Sequence, residues 1–315
     1  MLHIDRILFP TDGSACAAHA YRHAIDVADR HQSDLHVLHV EEHTVQWSDV
    51  IDIRTEDVLS DLHAPLPSMD ASPPSGSTEQ HTITHPSAAQ GILMYAAEHD
   101  IDLIVMGTHG RRGLARAVMG SVAEEVVRRA ECPVLTVRAD EDVQSVPSFD
   151  HLLVPVDFSS HTKGLLQHAE ALALAYDVPL HLLHVIEQIV LPTAYGIQPP
   201  EVDLTDMRVK AREALQEHVA RLEDAGVQVH AHIRDGHPAQ EILNTVSCSS
   251  GAPLLMIATH GRTGFKRLLL GSVAEKVVRR ADCPVFTVKP FGRALTDPLP
   301  EPADVENTAA PSDAA

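Results

Sequence analysis

The sequence predicts an α/β fold made twice over: two tandem units, each a mostly parallel sheet with flanking helices. Residues 107–137 (GTHGRRGLARAVMGSVAEEVVRRAECPVLTV) and 258–288 (ATHGRTGFKRLLLGSVAEKVVRRADCPVFTV) agree at 21 of 31 positions, which marks an internal repeat. In both halves short apolar runs alternate with helix-period stretches, the pattern of βαβ units. A chain of 315 residues also exceeds one ordinary domain of roughly 100–150 residues.

The repeat extends to the start of each half. Ile7-Leu8-Phe9-Pro10-Thr11-Asp12-Gly13-Ser14 matches Leu152-Leu153-Val154-Pro155-Val156-Asp157-Phe158-Ser159, and residues 36–40 match 181–185. The offset is 145 in these early blocks and 151 in the late ones, so copy two gains six residues in its middle.

Taken along the chain, the apolar runs predict strands at 4–9, 35–40, 103–107 and 133–138, then at 151–156, 180–185, 254–258 and 284–289. After the first strand, Ser14 is placed to cap a helix whose apolar face carries Ala20, Ala24, Val27 and Ala28. Leu165, Ala169, Leu172 and Ala173 do the same in copy two. The Pro/Ser-rich stretch 64–80 reads as a loop inserted in copy one. These signals divide the chain into a first domain at 1–138, a polar linker at 139–149, a second domain at 150–290, and a disordered acidic tail at 291–315.

Composition narrows the function classes. The hydrophobic fraction is 44% with only 3% aromatic, so the cores are aliphatic. A net charge of −20 argues against a long nucleic-acid footprint. The four cysteines form no CxxC pair and no His/Cys set has finger spacing, so no residue is assigned as a metal ligand and the thiols read as reduced and structural. No basic, apolar leader opens the chain and no apolar run reaches 18 residues, which predicts a cytoplasmic protein without a membrane span.

The chemistry-bearing segment lies between the fourth strand and the last helix. In copy one it reads Gly107-x2-Gly110-x9-Gly120-Ser121, followed by Val122-Ala123-Glu124. Ser-x-x-Glu is a capping box, which makes Ser121 the expected first cap of that helix. A helix start offers unpaired N–H groups and a positive dipole end, and glycines let backbone approach a ligand, so the expected anion is phosphate. Asp12 follows the first strand at the carboxyl edge, where open α/β sheets bind ligands. There it would accept from a ribose or help hold a metal ion, or else simply form its own turn. His39, His184, His109 and His260 recur in both copies and read as structural. Arg111, Arg112, Arg116, Arg262 and Arg267 read as solvated, and Cys132 and Cys283 as small buried fillers.

With these residues in hand, the chain resembles the universal stress protein (UspA-like) family in tandem form. The resemblance rests on Pro10-Thr11-Asp12-Gly13-Ser14, Pro155-Val156-Asp157-Phe158-Ser159, the two glycine loops and the Cys-Pro-Val strands. It implies doubly wound open sheets of five strands in the order 3-2-1-4-5, a Rossmann-like fold of the adenine nucleotide alpha hydrolase-like type. It also implies ATP as ligand, with Mg2+ as an optional companion. The residues it assigns to the nucleotide are Pro10, Thr11, Asp12, Val40, Gly107, Thr108, Gly110, Gly120, Ser121 and Val122. In copy two they are Pro155, Val156, Asp157, Val185, Ala258, Gly261, Gly271, Ser272 and Val273. Family members pair through their last strands, which predicts pairing of the two copies within the chain, with a homodimer as a further option. Two departures stand out: Ala258 replaces the first motif glycine and is expected to crowd a ligand, and Pro86 stands where copy two has Gly236.

The function expected is that of an ATP-binding regulatory module in a stress response. It is not expected to be an enzyme beyond slow ATP hydrolysis, because neither Gly-x4-Gly-Lys-Ser/Thr nor Gly-x-Gly-x-x-Gly occurs. A ligand-free interaction module is the alternative. A nucleotidyl-transferring enzyme and a zinc protein using the 22 histidines are weaker ones.

Overall fold

The computed structural model describes residues 2–42, 74, 76–109, 119–138, 148–187, 205–259, 270–289 and 292–296. Copy one runs β1 (Arg6–Pro10), α1 (Ala15–His31), β2 (Asp34–Glu41), β3 (Thr78–Thr84), α2 (Ala88–Glu98), β4 (Leu103–Gly107), α3 (Ser121–Arg129) and β5 (Val134–Val137). Copy two repeats it as β6 (His151–Pro155), α4 (Thr162–Tyr176), β7 (Leu180–Glu187), α5 (Thr205–Asp224), β8 (Val229–Gly236), α6 (Pro238–Cys248), β9 (Pro253–Ala258), α7 (Ser272–Arg280) and β10 (Val285–Val288).

The eight strands expected from apolar runs are all present, and each half has the order 3-2-1-4-5. The two half-sheets are continuous, however, and form one ten-stranded sheet β3-β2-β1-β4-β5-β10-β9-β6-β7-β8. Every neighbouring pair is parallel except β5 and β10, which meet antiparallel with Phe286 opposite Leu135. The seam is self-complementary: Thr136 Oγ1 donates to Val285 O at 3.3 Å and Thr287 Oγ1 to Val134 O at 3.0 Å.

Strand side chains alternate between two apolar layers, as period-2 geometry requires. Ile7 and Phe9 face α1, whose Ala20, Ala24, Val27 and Ala28 are buried as expected, while Leu8 faces α2 and α3. Leu165, Ala169, Leu172 and Ala173 of α4 are likewise buried. Ser14 caps α1, its Oγ accepting from Ala17 N at 3.2 Å.

Three boundary expectations change. The loop expected at 64–80 gives way to β3 at Thr78, which pairs with Leu35 of β2. The polar linker expected at 139–149 ends earlier, because Phe149 is buried, with its ring 5.7 Å from His23 and 5.3 Å from Tyr176. Residues 292–296, expected within the disordered tail, instead pack back on the fold. Leu295 is 1% exposed, its N–H reaches His168 Nε2 at 3.1 Å, and Arg293 Nε pairs with Asp102 Oδ1 at 2.7 Å. One buried leucine and one paired arginine hold this segment against copy one and copy two together. Residues 64–73, 139–147 and 297–315 of the expected loop, linker and tail lie outside the described residues.

Candidate functional site

The first strand of each copy ends in a tightly bonded turn. Thr11 N donates to Leu38 O at 2.8 Å, Gly13 N to Thr11 Oγ1 at 3.1 Å, and Ser14 N to Asp12 Oδ1 at 3.0 Å. Gly13 takes φ +73°, a conformation glycine adopts freely. His39 Nδ1 lies 2.9 Å from Thr11 O and steadies the turn from β2. Copy two repeats the arrangement. Asp157 Oδ1 accepts from Ser159 N at 3.0 Å and from Thr162 Oγ1 at 3.2 Å, and His184 Nδ1 sits 2.8 Å from Val156 O. Phe158, at φ +57°, replaces the glycine. The recurrent His39 and His184 are therefore structural, and the turn involves Asp12 through Oδ1.

The glycine segment closes on the same edge. Thr108 N donates to Val137 O at 2.9 Å, and Gly120 N returns to Thr108 O at 2.7 Å. Ser121 is not the cap that the Ser-x-x-Glu pattern predicts. Gly120 holds that place, with φ −67°, ψ 151° and no side-chain cap, and Glu124 N bonds to its carbonyl at 3.0 Å. Ser121 is thereby the exposed first residue of α3. Gly271 and Ser272 behave identically at α7. Gly110, Gly261, His260 and the five loop arginines lie outside the described residues.

Gly107 is small for a reason other than ligand approach. A Cβ there would lie 2.9 Å from Cys16 Sγ and 3.2 Å from the Cys16 carbonyl, so the residue is glycine because α1 passes against it. The methyl of Ala258, its counterpart, packs into the apolar layer. Pro86 and Gly236 differ because the turns differ: Gly236 takes φ +141°, whereas copy one enters α2 through Ser87, whose Oγ accepts from Gln90 N.

In copy one these pieces enclose a cavity of about 680 Å³ at the carboxyl ends of β1, β2 and β4. Pro10, Thr11, Asp12, Val40, Gly107, Thr108, Gly120, Ser121 and Val122 all line it, which is every described member of the residue set assigned to copy one. Reading the sequence missed Glu41, Glu42, Ala88, Ile92 and Met106. The last two carry a signal only in retrospect, as apolar positions at the cavity end of a helix and a strand. Glu42 Oε1 accepts from Ala88 N at 2.9 Å, so a carboxylate already occupies the start of α2. Among the described residues no side chain caps the start of α3. The cavity is consequently two-ended: Val40, Ile92 and Met106 offer apolar walls, and the α3 amides offer donors to an anion. Pro155, Val156, Asp157, Val185, Ala258, Gly271, Ser272 and Val273 take the same topological places on β6, β7, β9 and α7.

Comparison with known proteins places this geometry in context. The model of the "Universal stress protein family" matches residues 3–138 and again 148–289. A universal stress protein of Mycobacterium tuberculosis is 29% identical over 198 residues, covering 62% of this chain and 64% of that protein. The match thus spans under two thirds of the relative's length. A solved structure from Pseudomonas aeruginosa, described as functionally unknown, superposes with a TM-score of 0.63 at 20% identity over 91% of this chain and 93% of that one. A universal stress protein from Archaeoglobus fulgidus gives 0.60 at 23% identity over 91% and 97%. None of the described helices is long and apolar enough to cross a membrane.

Proposed function

Because the chain belongs to the universal stress protein family, we propose that copy one binds an adenine nucleotide, ATP, in the cavity at the carboxyl edge. The observation that carries this reading is the convergence of nine assigned residues on one cavity whose far end is a helix start without a side-chain cap.

In this reading Val40, Ile92 and Met106 flank the base, and Asp12 accepts from the ribose hydroxyls. The phosphates lie along Gly120, Ser121 and Val122, where the helix start favours an anionic charge by about 0.3–1 kcal/mol. Glu41 and Glu42 repel phosphate from the opposite end, so charge fixes the orientation of the ligand. Mg2+ bound with the phosphates suits a carboxylate oxygen such as that of Asp12. The equivalent positions of copy two form a second candidate site.

Occupancy would act as a signal rather than as turnover, with ATP hydrolysis at most slow. Nucleotide bound at the start of α3 would bias the seam, which α3 reaches through the 2.9 Å pair of Glu124 with Arg279, and this suits a regulatory module acting within a cytoplasmic stress response. Binding of ATP to nucleotide-stripped protein tests the reading through Gly120→Val. A Cβ at position 120 would stand 3.2 Å from Thr108 O, so a valine crowds that carbonyl and shifts the loop. The variant should bind ATP at least about 10-fold more weakly, or 1.4 kcal/mol. Unchanged affinity in a folded variant would remove the site.

A further inference from the structure

At the amino edge of the sheet, opposite the nucleotide cavity, each copy carries a cluster of histidines on the same face. In copy one His36 of β2 is in register with Glu79 of β3, and His81 follows two residues on, so the three side chains share one face. Each offers one ligand atom, and these atoms all lie within 4.8 Å of one another. His81 Nε2 is 3.2 Å from Glu79 Oε2, and the Tyr95 hydroxyl holds His36 Nδ1 at 2.9 Å.

Copy two has histidine at all three equivalent positions: His181 is in register with His230, with His232 two residues on. His232 Nε2 and His181 Nδ1 are 3.3 Å apart. These two rings are hydrogen-bonded to each other, and among the described residues only His36, Glu79 and His81 bring three ligand atoms together. His151 of β6 adds a further ring 4.6 Å from His181, and a cavity of about 380 Å³ lined by His151, His181 and His232 opens beside them.

We propose that the amino edge of the copy-one half-sheet binds a divalent transition-metal ion of the zinc class, through His36, Glu79 and His81. Two imidazoles and a carboxylate are a set that zinc takes with a water completing the tetrahedron, and imidazole selects zinc, nickel or copper over magnesium. A bound ion ties the edge strand β3 to β2 through one face of the sheet. The proposal is independent of the nucleotide reading, whose cavity lies at the other end of the strands.

The test uses the full chain, stripped with a chelator and titrated with Zn2+ against a chromophoric competitor, alongside His81→Ala and His232→Ala. One saturable equivalent is expected, lost in His81→Ala and kept in His232→Ala. The affinity of the affected site should fall at least about 100-fold, the upper end of what losing even an outer-sphere partner costs. Co2+ added to the unsubstituted protein should give the intense visible bands of a tetrahedral ion without thiolate charge transfer. No saturable Zn2+ binding, binding unchanged in His81→Ala, or a weak octahedral Co2+ spectrum would overturn the proposal.

Discussion

Arg138 and Lys289 occupy the same position in the two copies, and each crosses the seam to the carbonyl end of the other copy's last helix. Lys289 Nζ donates to Val127 O and, at 3.2 Å, to Arg128 O, while the Arg138 guanidinium donates to Ala281 O at 3.1 Å. Cations at helix C-termini satisfy carbonyls that the helix leaves unpaired. Together with the Thr136 and Thr287 hydroxyl bonds, they make the β5–β10 junction an exchange between equals.

Replacing Lys289 with methionine keeps the stem and removes the donor. The substitution should cost about 1–3 kcal/mol, the penalty for leaving buried carbonyls unpaired, read as a lower urea midpoint. An unchanged midpoint would mean that water replaces the ammonium.

Gly107 and Ala258 should respond asymmetrically to exchange. Gly107→Ala drives a methyl against Cys16 and should destabilise by about 1–3 kcal/mol. Ala258→Gly should cost only about 0.5–1 kcal/mol from added backbone freedom and leave nucleotide affinity unchanged. Tighter binding in Ala258→Gly would show that the methyl obstructs a ligand after all.

The segment at 292–296 should behave as part of the fold. Asp102 accepts from the backbone N–H groups of Asp5 and Arg6 at 2.8 and 2.9 Å as well as pairing with Arg293. Leu295→Ala, at a site 1% exposed, should cost about 2–5 kcal/mol and lower the melting temperature. A melt identical to that of the unsubstituted protein would show the segment to be dispensable.

Acid should weaken the protein through His23. Burial, with His19 adding to it, lowers this group to about 3, against an ordinary value of 6.5. Between those values the unfolded chain takes up a proton that the folded one refuses. Stability therefore falls as pH drops from 6.5 towards 3, by up to about 1.4 kcal/mol per unit. His23→Leu should flatten that slope in urea titrations run from about pH 7 to about pH 4, and an undiminished slope would assign the effect elsewhere.

Much of the fold was legible because the central strands are continuous apolar runs buried on both faces, as Leu103-Ile104-Val105-Met106 shows. The edge strands were not: Thr78–Thr84 reads TEQHTIT with alternating exposure, and Val229–Gly236 is as polar. Ser121 misled because a capping box fixes a helix start only to within a residue, and here the glycine before it takes the cap. The seam was not legible from propensity, since Thr136 and Thr287 look like ordinary strand residues until their hydroxyls are seen crossing it. The cavity residues that were found sit in motifs repeated in both copies, whereas Glu42 and Ile92 belong to no motif.

The most direct measurement is calorimetric titration of nucleotide-stripped protein with ATP, with and without Mg2+, after chromatography of whatever the purified protein releases on denaturation. The account predicts saturable binding of one or two ATP per chain. No heat of binding and no released adenine nucleotide would contradict it and leave the cavity to a different ligand.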